Sequence, residues 1–224
     1  MKFITVVRVH CFQILLYVFI FIVGSFGAKN PIVTDKVFLT IAIDGETVGD
    51  IVIGLFGEIV PKTVRNFKEL ASHKNGFGYR GSRFHRVDKF YYIQGGSFKY
   101  GNITGGTSIY GRYFETENFK LKHYGQGWVS MANSGPDRNG SQFFIVTYQL
   151  ELFDNKNVVF GKVLRGMPIV KMIQSLEQGS AKPPSKPCII VNSGTIEVEK
   201  PFPVSKTGSP DRDPVSLKSV HSEL

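Results

Sequence analysis

Three short runs hold the residues able to do chemistry in this 224-residue chain: Phe84-His85-Arg86-Val87, Gln94-Gly95-Gly96 and Gly140-Ser141-Gln142-Phe143-Phe144. They place one arginine, two glutamines and several aromatics on what read as short paired strands. An aromatic-lined groove with neutral amides and one buried cation suits a reaction that makes no covalent bond. No His/Cys/Asp cluster has metal-ligand spacing, and no glycine-rich loop has a phosphate-binding pattern ahead of a helix. Neither a metal nor a cofactor is expected.

Elements of two kinds must position these residues. Val37 to Ile43 alternates apolar and polar residues, Asp44-Gly45 turns, and Val48 to Leu55 alternates again, which predicts a hairpin. Pro61 suits the first turn of a helix in which Val64, Phe67, Leu70 and Ala71 recur at helical spacing; it ends near His73, before Asn75-Gly76. Short strands are predicted at Ser82–Val87, Phe90–Gln94, Trp128–Met131, Gln142–Val146 and Val158–Val163. A second helix runs from about Pro168 to Leu176, and Cys188–Glu199 reads as a closing strand. Many short strands and only two helices predict an all-β-dominated fold, a closed barrel. The expected limits are an N-terminal extension at 28–36, a folded domain at 37–199 and a polar tail at 200–224, too poor in large apolar residues to stay folded.

The first 27 residues read as a secretory signal cut after Gly27. Lys2 and Arg8 lead, Ile14 to Val23 is almost wholly apolar, and Ser25-Phe26-Gly27 supplies small residues. An uncleaved anchor is the other reading, because Cys11 to Gly27 borders on the length that spans a bilayer. The formal net charge is +9. Loss of Lys2 and Arg8 leaves 25 basic against 18 acidic side chains, or +7. The excess is spread along the chain, with no run of five, and no nucleic-acid partner is expected. It implies either ordinary solubility or weak attraction to acidic glycans. With Cys11 in the leader, Cys188 stands alone before Ile189-Ile190-Val191 and is expected to be a buried, inert thiol. Asn102-Ile103-Thr104 is a plausible glycosylation sequon. Asn139-Gly140-Ser141 is a second sequon.

With these runs in view the chain resembles the cyclophilins, the cyclosporin-binding peptidyl-prolyl isomerases, over about Val37 to Glu199, and most closely their secretory-pathway (B and C type) members. Further runs carry the resemblance: Gly54-Leu55-Phe56-Gly57, Val60-Pro61-Lys62-Thr63, Gly76-Phe77-Gly78-Tyr79, Ser108-Ile109-Tyr110-Gly111, Val129-Ser130-Met131-Ala132-Asn133 and Val158-Val159-Phe160-Gly161. It implies eight antiparallel strands with a helix capping each end, and a monomer acting on proline-containing polypeptides. The X-Pro bond turns over a barrier of ~18–20 kcal/mol because amide resonance is lost at the twisted transition state. A catalyst must bind the twisted amide better than the planar one.

By the same resemblance Arg86 is the donor to the prolyl nitrogen. Gln94 hydrogen-bonds Arg86 or the substrate carbonyl, Phe144 floors the proline pocket, Ala132 and Asn133 pair with the substrate backbone, and Gln142 lines the neighbouring groove. Arg112 and Tyr113 fall where the family varies the gatekeepers of a second groove, which tunes the residue two or three before proline; a plain exposed loop is the alternative. The departures are as informative. Tyr91 and Tyr92 stand where the family has Phe and Met, Ser134 where it has Ala, and Asn157 where it has His. Leu152 and Phe153 stand in place of Trp and Leu. Leu152 offers no N–H to cyclosporin, which predicts weakened binding, by on the order of 1 kcal/mol for the lost bond. Two readings follow: a secretory-pathway prolyl isomerase assisting protein folding, or a low-turnover proline-recognising escort with an altered pocket. The terminal His221-Ser222-Glu223-Leu224 resembles a relaxed retrieval signal, which leaves the endoplasmic reticulum lumen and secretion both open.

Overall fold

The computed structural model describes residues 29–98, 106–179 and 182–207, and the packed unit begins at Pro31. The expected leader at 1–27, Asn102 and the terminal His221-Ser222-Glu223-Leu224 lie outside the described residues. β1 (Ile32–Val33) precedes the hairpin of β2 (Asp35–Ile43) and β3 (Glu46–Leu55). Asp44 and Gly45 turn that hairpin with φ of 55° and 88°. Both angles lie in the left-handed region, the combination whose twist matches the flanking strands.

The chain then enters α1 (Pro61–Ser72), with Pro61 in its first turn and no side-chain cap from Val60. A distant carboxylate replaces the cap. Glu117 accepts the Lys62 and Thr63 N–H groups at 2.9 and 2.7 Å, where the helix dipole favours negative charge. His73, at φ 55°, ends the helix as the sequence predicts. There follow β4 (Arg86–Asp88), β5 (Tyr92–Gly95), β6 (Trp128–Asn133), β7 (Asn139–Val146), a 3-10 turn (Glu151–Phe153), β8 (Val159–Arg165), α2 (Met167–Ser175), β9 (Cys188–Ile196) and β10 (Phe202–Pro203).

Eight strands form one antiparallel sheet in the order β4-β5-β7-β6-β8-β3-β2-β9. Its inner face carries Val37, Leu39, Ile41, Ile51, Ile53, Val87, Ile93, Val129, Phe143 and Ile145, all fully buried. Both helices bury their apolar stripes in that core. Phe67 of α1 sits at its centre, with ring centroids 5.0, 5.1 and 4.8 Å from Tyr79, Phe143 and Phe160.

The ladder is not closed, contrary to expectation. The strand predicted at Ser82–Val87 begins only at Arg86, because Gly81 (φ 84°) and a turn precede it. That turn meets β9 through one isolated bridge, Arg83 to Ile189. Phe84 N–H donates to the Cys188 carbonyl at 2.9 Å and Ile190 N–H to the Ser82 carbonyl at 2.8 Å. The seam between the edge strands is held by these few bonds rather than by a continuous ladder.

The ordered chain also overruns the predicted limits of 37–199. β1 pairs with β10, and Val204 N–H donates to the Pro31 carbonyl at 3.0 Å. Val33 and Val204 are buried in a second apolar cluster with Val52, Phe56, Trp128 and Leu164. The buried Lys162 donates to the Ser205 carbonyl at 2.7 Å and lies 5.6 Å over the Trp128 ring. Residues read as an extension and the start of a loose tail are thus an apolar clasp. Cys188 is buried, with its thiol pushed up to about 11 by desolvation. Among the described residues no helix is long and apolar enough to cross a membrane.

Candidate functional site

The pleat puts the predicted residues on one face. Arg86 on β4 lies opposite Gln94 on β5, which lies opposite Phe144 on β7. Tyr92 is two residues before Gln94 and Gln142 two before Phe144, so the period of two points all five away from the core. The intervening Val87, Ile93 and Phe143 face inward and are fully buried. Gly96 secures the junction behind the groove. At φ 86° it packs so closely on the Ser141 carbonyl that a Cβ would stand 2.6 Å from that oxygen. Tyr79 donates to the same oxygen at 2.8 Å.

The floor is a triangle of rings. Tyr92 lies 5.5 Å from Phe144 and 5.8 Å from Phe153, and Phe144 lies 5.4 Å from Phe153. Ala132 packs against this cluster. His123 stacks on Phe144 at 5.7 Å, only 11° from parallel. Its Nδ1 lies 2.7 Å from Asp154 Oδ1. Burial lowers the His123 pKa by more than Asp154 restores, so the ring is neutral near pH 7 and its Nδ1–H donates to the carboxylate. Nε2, which has no partner among the described residues, is then the unprotonated nitrogen.

The polar wall is Arg86, Gln94 and Gln142. Gln94 Nε2 donates to Gln142 Oε1 at 2.8 Å, so of the two partners predicted for Gln94 it does not take Arg86. The guanidinium carbon of Arg86 lies 5.5 Å over the Tyr92 ring, and its Nε is buried without a hydrogen-bond partner among the described residues. A buried, unmatched cationic donor is costly unless a ligand matches it. His85, beside it, is also buried. Among the described residues neither ring nitrogen has a partner of good geometry. Burial depresses its pKa, although the Arg83 carbonyl and Gln142 pull the other way.

β6 supplies an open edge. Its pairing with β8 stops at Ser130, and the register with β7 slips between Met131 and Asn133. Ala132 and Asn133 are therefore available to pair with an added strand. The Asn133 side chain is not, since its Nδ2 donates to the Lys156 carbonyl at 2.8 Å. Asn157, expected in the pocket wall, donates instead to the Met131 carbonyl at 2.9 Å and supports β6. Tyr91 does not join the ring triangle. It sits in the turn before β5, 45% exposed, and its ring contact is Phe90 at 6.3 Å. Leu152 is on the 3-10 turn, 67% exposed, next to Phe153. Asn139, of the second sequon, is 1% exposed, and its amide donates to the Phe114 carbonyl at 3.2 Å.

A groove of about 400 Å³ continues from Arg86, Gln94 and Gln142 past Ala132, Asn133 and Ser134 to Arg112, Tyr113 and Arg138. Arg138 was not singled out in the sequence, because it sits in a turn with no periodicity to mark it. His123 was missed for a different reason: its partners Phe144 and Asp154 are far along the chain. A larger cleft of about 500 Å³ lies between β2 and α1. Its charges already pair internally, Lys68 with Asp35 at 2.5 Å and Arg65 with Glu69 at 2.9 Å, so it offers no comparable set of free donors. Among the described residues no three His, Cys, Asp or Glu side chains are grouped to hold a metal.

A family model described as cyclophilin type peptidyl-prolyl cis-trans isomerase/CLD matches residues 38–195, from within β2 to within β9.

Proposed function

Given that the chain belongs to the cyclophilin-type peptidyl-prolyl cis-trans isomerase family, we propose that it isomerises X-Pro bonds with Arg86 as the donor that favours the twisted amide. The observation that carries this reading is the Arg86 guanidinium, which lies over Tyr92 with its buried Nε unmatched. As the amide twists, resonance is lost and the prolyl nitrogen gains a lone pair. A preorganised cation beside that nitrogen stabilises the transition state more than the planar ground state. The Phe144–Tyr92–Phe153 triangle holds the pyrrolidine ring, the Ala132–Asn133 edge takes the substrate backbone, and the Gln94–Gln142 pair presents an amide to its carbonyl. No proton moves and no covalent intermediate forms.

A test is the isomerisation of X-Pro tetrapeptides by the wild-type protein beside Arg86→Ala and Arg86→Lys. Loss of a charged transition-state donor lowers kcat/KM on the order of 10²–10³-fold. Arg86→Ala turning over like the wild type would sink the assignment. The slow-escort reading keeps one specific support. Tyr92 and Phe153 bring their rings against Phe144 in the space a proline must enter. We place the protein in the secretory pathway on the apolar leader at 1–27, with clients that contain proline. Cell fractionation that finds the full-length protein outside that pathway would refute this placement.

A further inference from the structure

We propose that the far end of the groove selects an anionic side chain, carboxylate or phosphoryl, a few residues before the proline, with Arg112 and Arg138 as its specificity-determining residues. This rests on the isomerase reading above and names a substrate class for it.

Two loops bring the arginines together. Phe114 N–H donates to the Asn139 carbonyl at 2.9 Å and Asn139 N–H to the Phe114 carbonyl at 3.2 Å. This double bridge locks the loop carrying Arg112 to the turn carrying Arg138. Both arginines line the groove that also holds Arg86, and among the described residues no carboxylate lines it. The acids nearest in sequence are occupied: Asp137 accepts the Thr116 N–H at 2.9 Å, and Glu115 pairs with Lys62. Among the described residues none of these three arginines makes an ion pair. Arg112 lies 5.2 Å over the Tyr113 ring, which steadies its planar fork. The Tyr113 hydroxyl registers the local field, its pKa drawn down first by Ser134 and then by Arg112 and Arg138.

Like charges gathered on one groove repel each other, and an anion between them relieves that repulsion while accepting charge-assisted hydrogen bonds. Guanidinium forks match carboxylate and phosphoryl oxygens geometrically, where a lone ammonium does not. Both arginines are exposed, so the preference is screened by salt.

The test measures kcat/KM for X-Pro peptides carrying Ala, Glu, phosphoserine or Lys at each of the four positions before proline. Wild type, Arg112→Gln, Arg138→Gln and the double variant are compared at low and high salt. At one position, Glu and phosphoserine peptides outrun the Ala peptide and the Lys peptide falls behind it. Each substitution shrinks the anion-to-Ala ratio by roughly two- to tenfold, the range of an exposed charge-assisted contact. A wild-type ratio near one at every position, or a ratio that survives the double variant, overturns the inference and leaves the isomerase intact. If no peptide turns over, the isomerase reading is lost, and equilibrium titration of the same peptides decides the pocket by the same ordering. Phosphoserine binding without Glu binding would limit the site to phosphoryl groups, while Lys binding as tightly as Glu would overturn it.

Discussion

Tyr92 touches most of what shapes the proposed proline pocket, with Phe144 and Phe153 on either side and the Arg86 guanidinium 5.5 Å above its ring. Replacing it has two opposed effects. Tyr92→Met gives up a cation–π contact of about 0.5–1 kcal/mol, yet a flexible thioether yields space to the pyrrolidine that a rigid ring does not. On the isomerase reading, extra room for the pyrrolidine is expected to raise kcat/KM on Ala-Pro peptides, and an unchanged or lower value would show that the rings already leave room. Leu152 bears on a different ligand. It is exposed at the rim, with an apolar side chain and no donor. Leu152→Trp restores an indole N–H and is expected to tighten cyclosporin binding by about 1 kcal/mol, roughly fivefold in Kd. Equal titrations for both proteins would show that the rim does not limit that affinity.

At the scale of elements, the strands that carry the site were legible in the sequence because both faces of β4, β5 and β7 are constrained. Val87, Ile93 and Phe143 must face the core, and the pleat then fixes Arg86, Gln94 and Phe144 on the other side. What the sequence hid was non-local. Glu117 replaces the missing cap of α1 from fifty-odd residues away, and Asn157 is turned from the groove by a bond to the Met131 carbonyl. The clasp of β1 and β10 escaped notice because each strand is two residues long, too short for any alternation, and because Pro201 and Pro203 read as loop. It contributes nonetheless. Val204 is 1% exposed against Trp128 and Phe56, so Val204→Ala is expected to cost about 1–3 kcal/mol in urea unfolding. A chain ending at Glu199, the predicted domain limit, is expected to lose more, since it also strips the Ser205 carbonyl from the buried Lys162 ammonium. Coincident unfolding curves for the full and shortened chains would show that the clasp is ornamental.

Across the whole molecule the buried histidines couple the fold to pH. His85 beside Arg86 and His123 under Phe144 both have pKa values lowered from 6.5, each chiefly by desolvation. His73, which accepts the Arg80 N–H at 2.8 Å through Nε2, is lowered for the same first reason. The folded state holds these rings neutral, whereas the unfolded chain protonates them near pH 6.5. The unfolded state therefore binds more protons as pH falls, and each histidine removes stability from about pH 6.5 downward until its own folded pKa is reached. Stability is full above about pH 6.5. The slope is at most about 1.4 kcal/mol per pH unit for each of His85 and His123, and smaller for the partly exposed His73. Carboxylates cannot mimic it, because Glu69 and Glu115 are lowered from 4.5 and act only in stronger acid. The charge would also matter for the site: protonated His123 would place a cation against Phe144, with Lys122 adding to the repulsion and Asp154 opposing it. Urea midpoints at pH 7.5 and 5.5, read beside NMR titration of the imidazole resonances, check the argument. The midpoint is expected to fall at pH 5.5 while His85 and His123 titrate below 6.5. Equal midpoints, with either ring titrating at or above 6.5, would show that the interior near the groove is wetter than its packing implies.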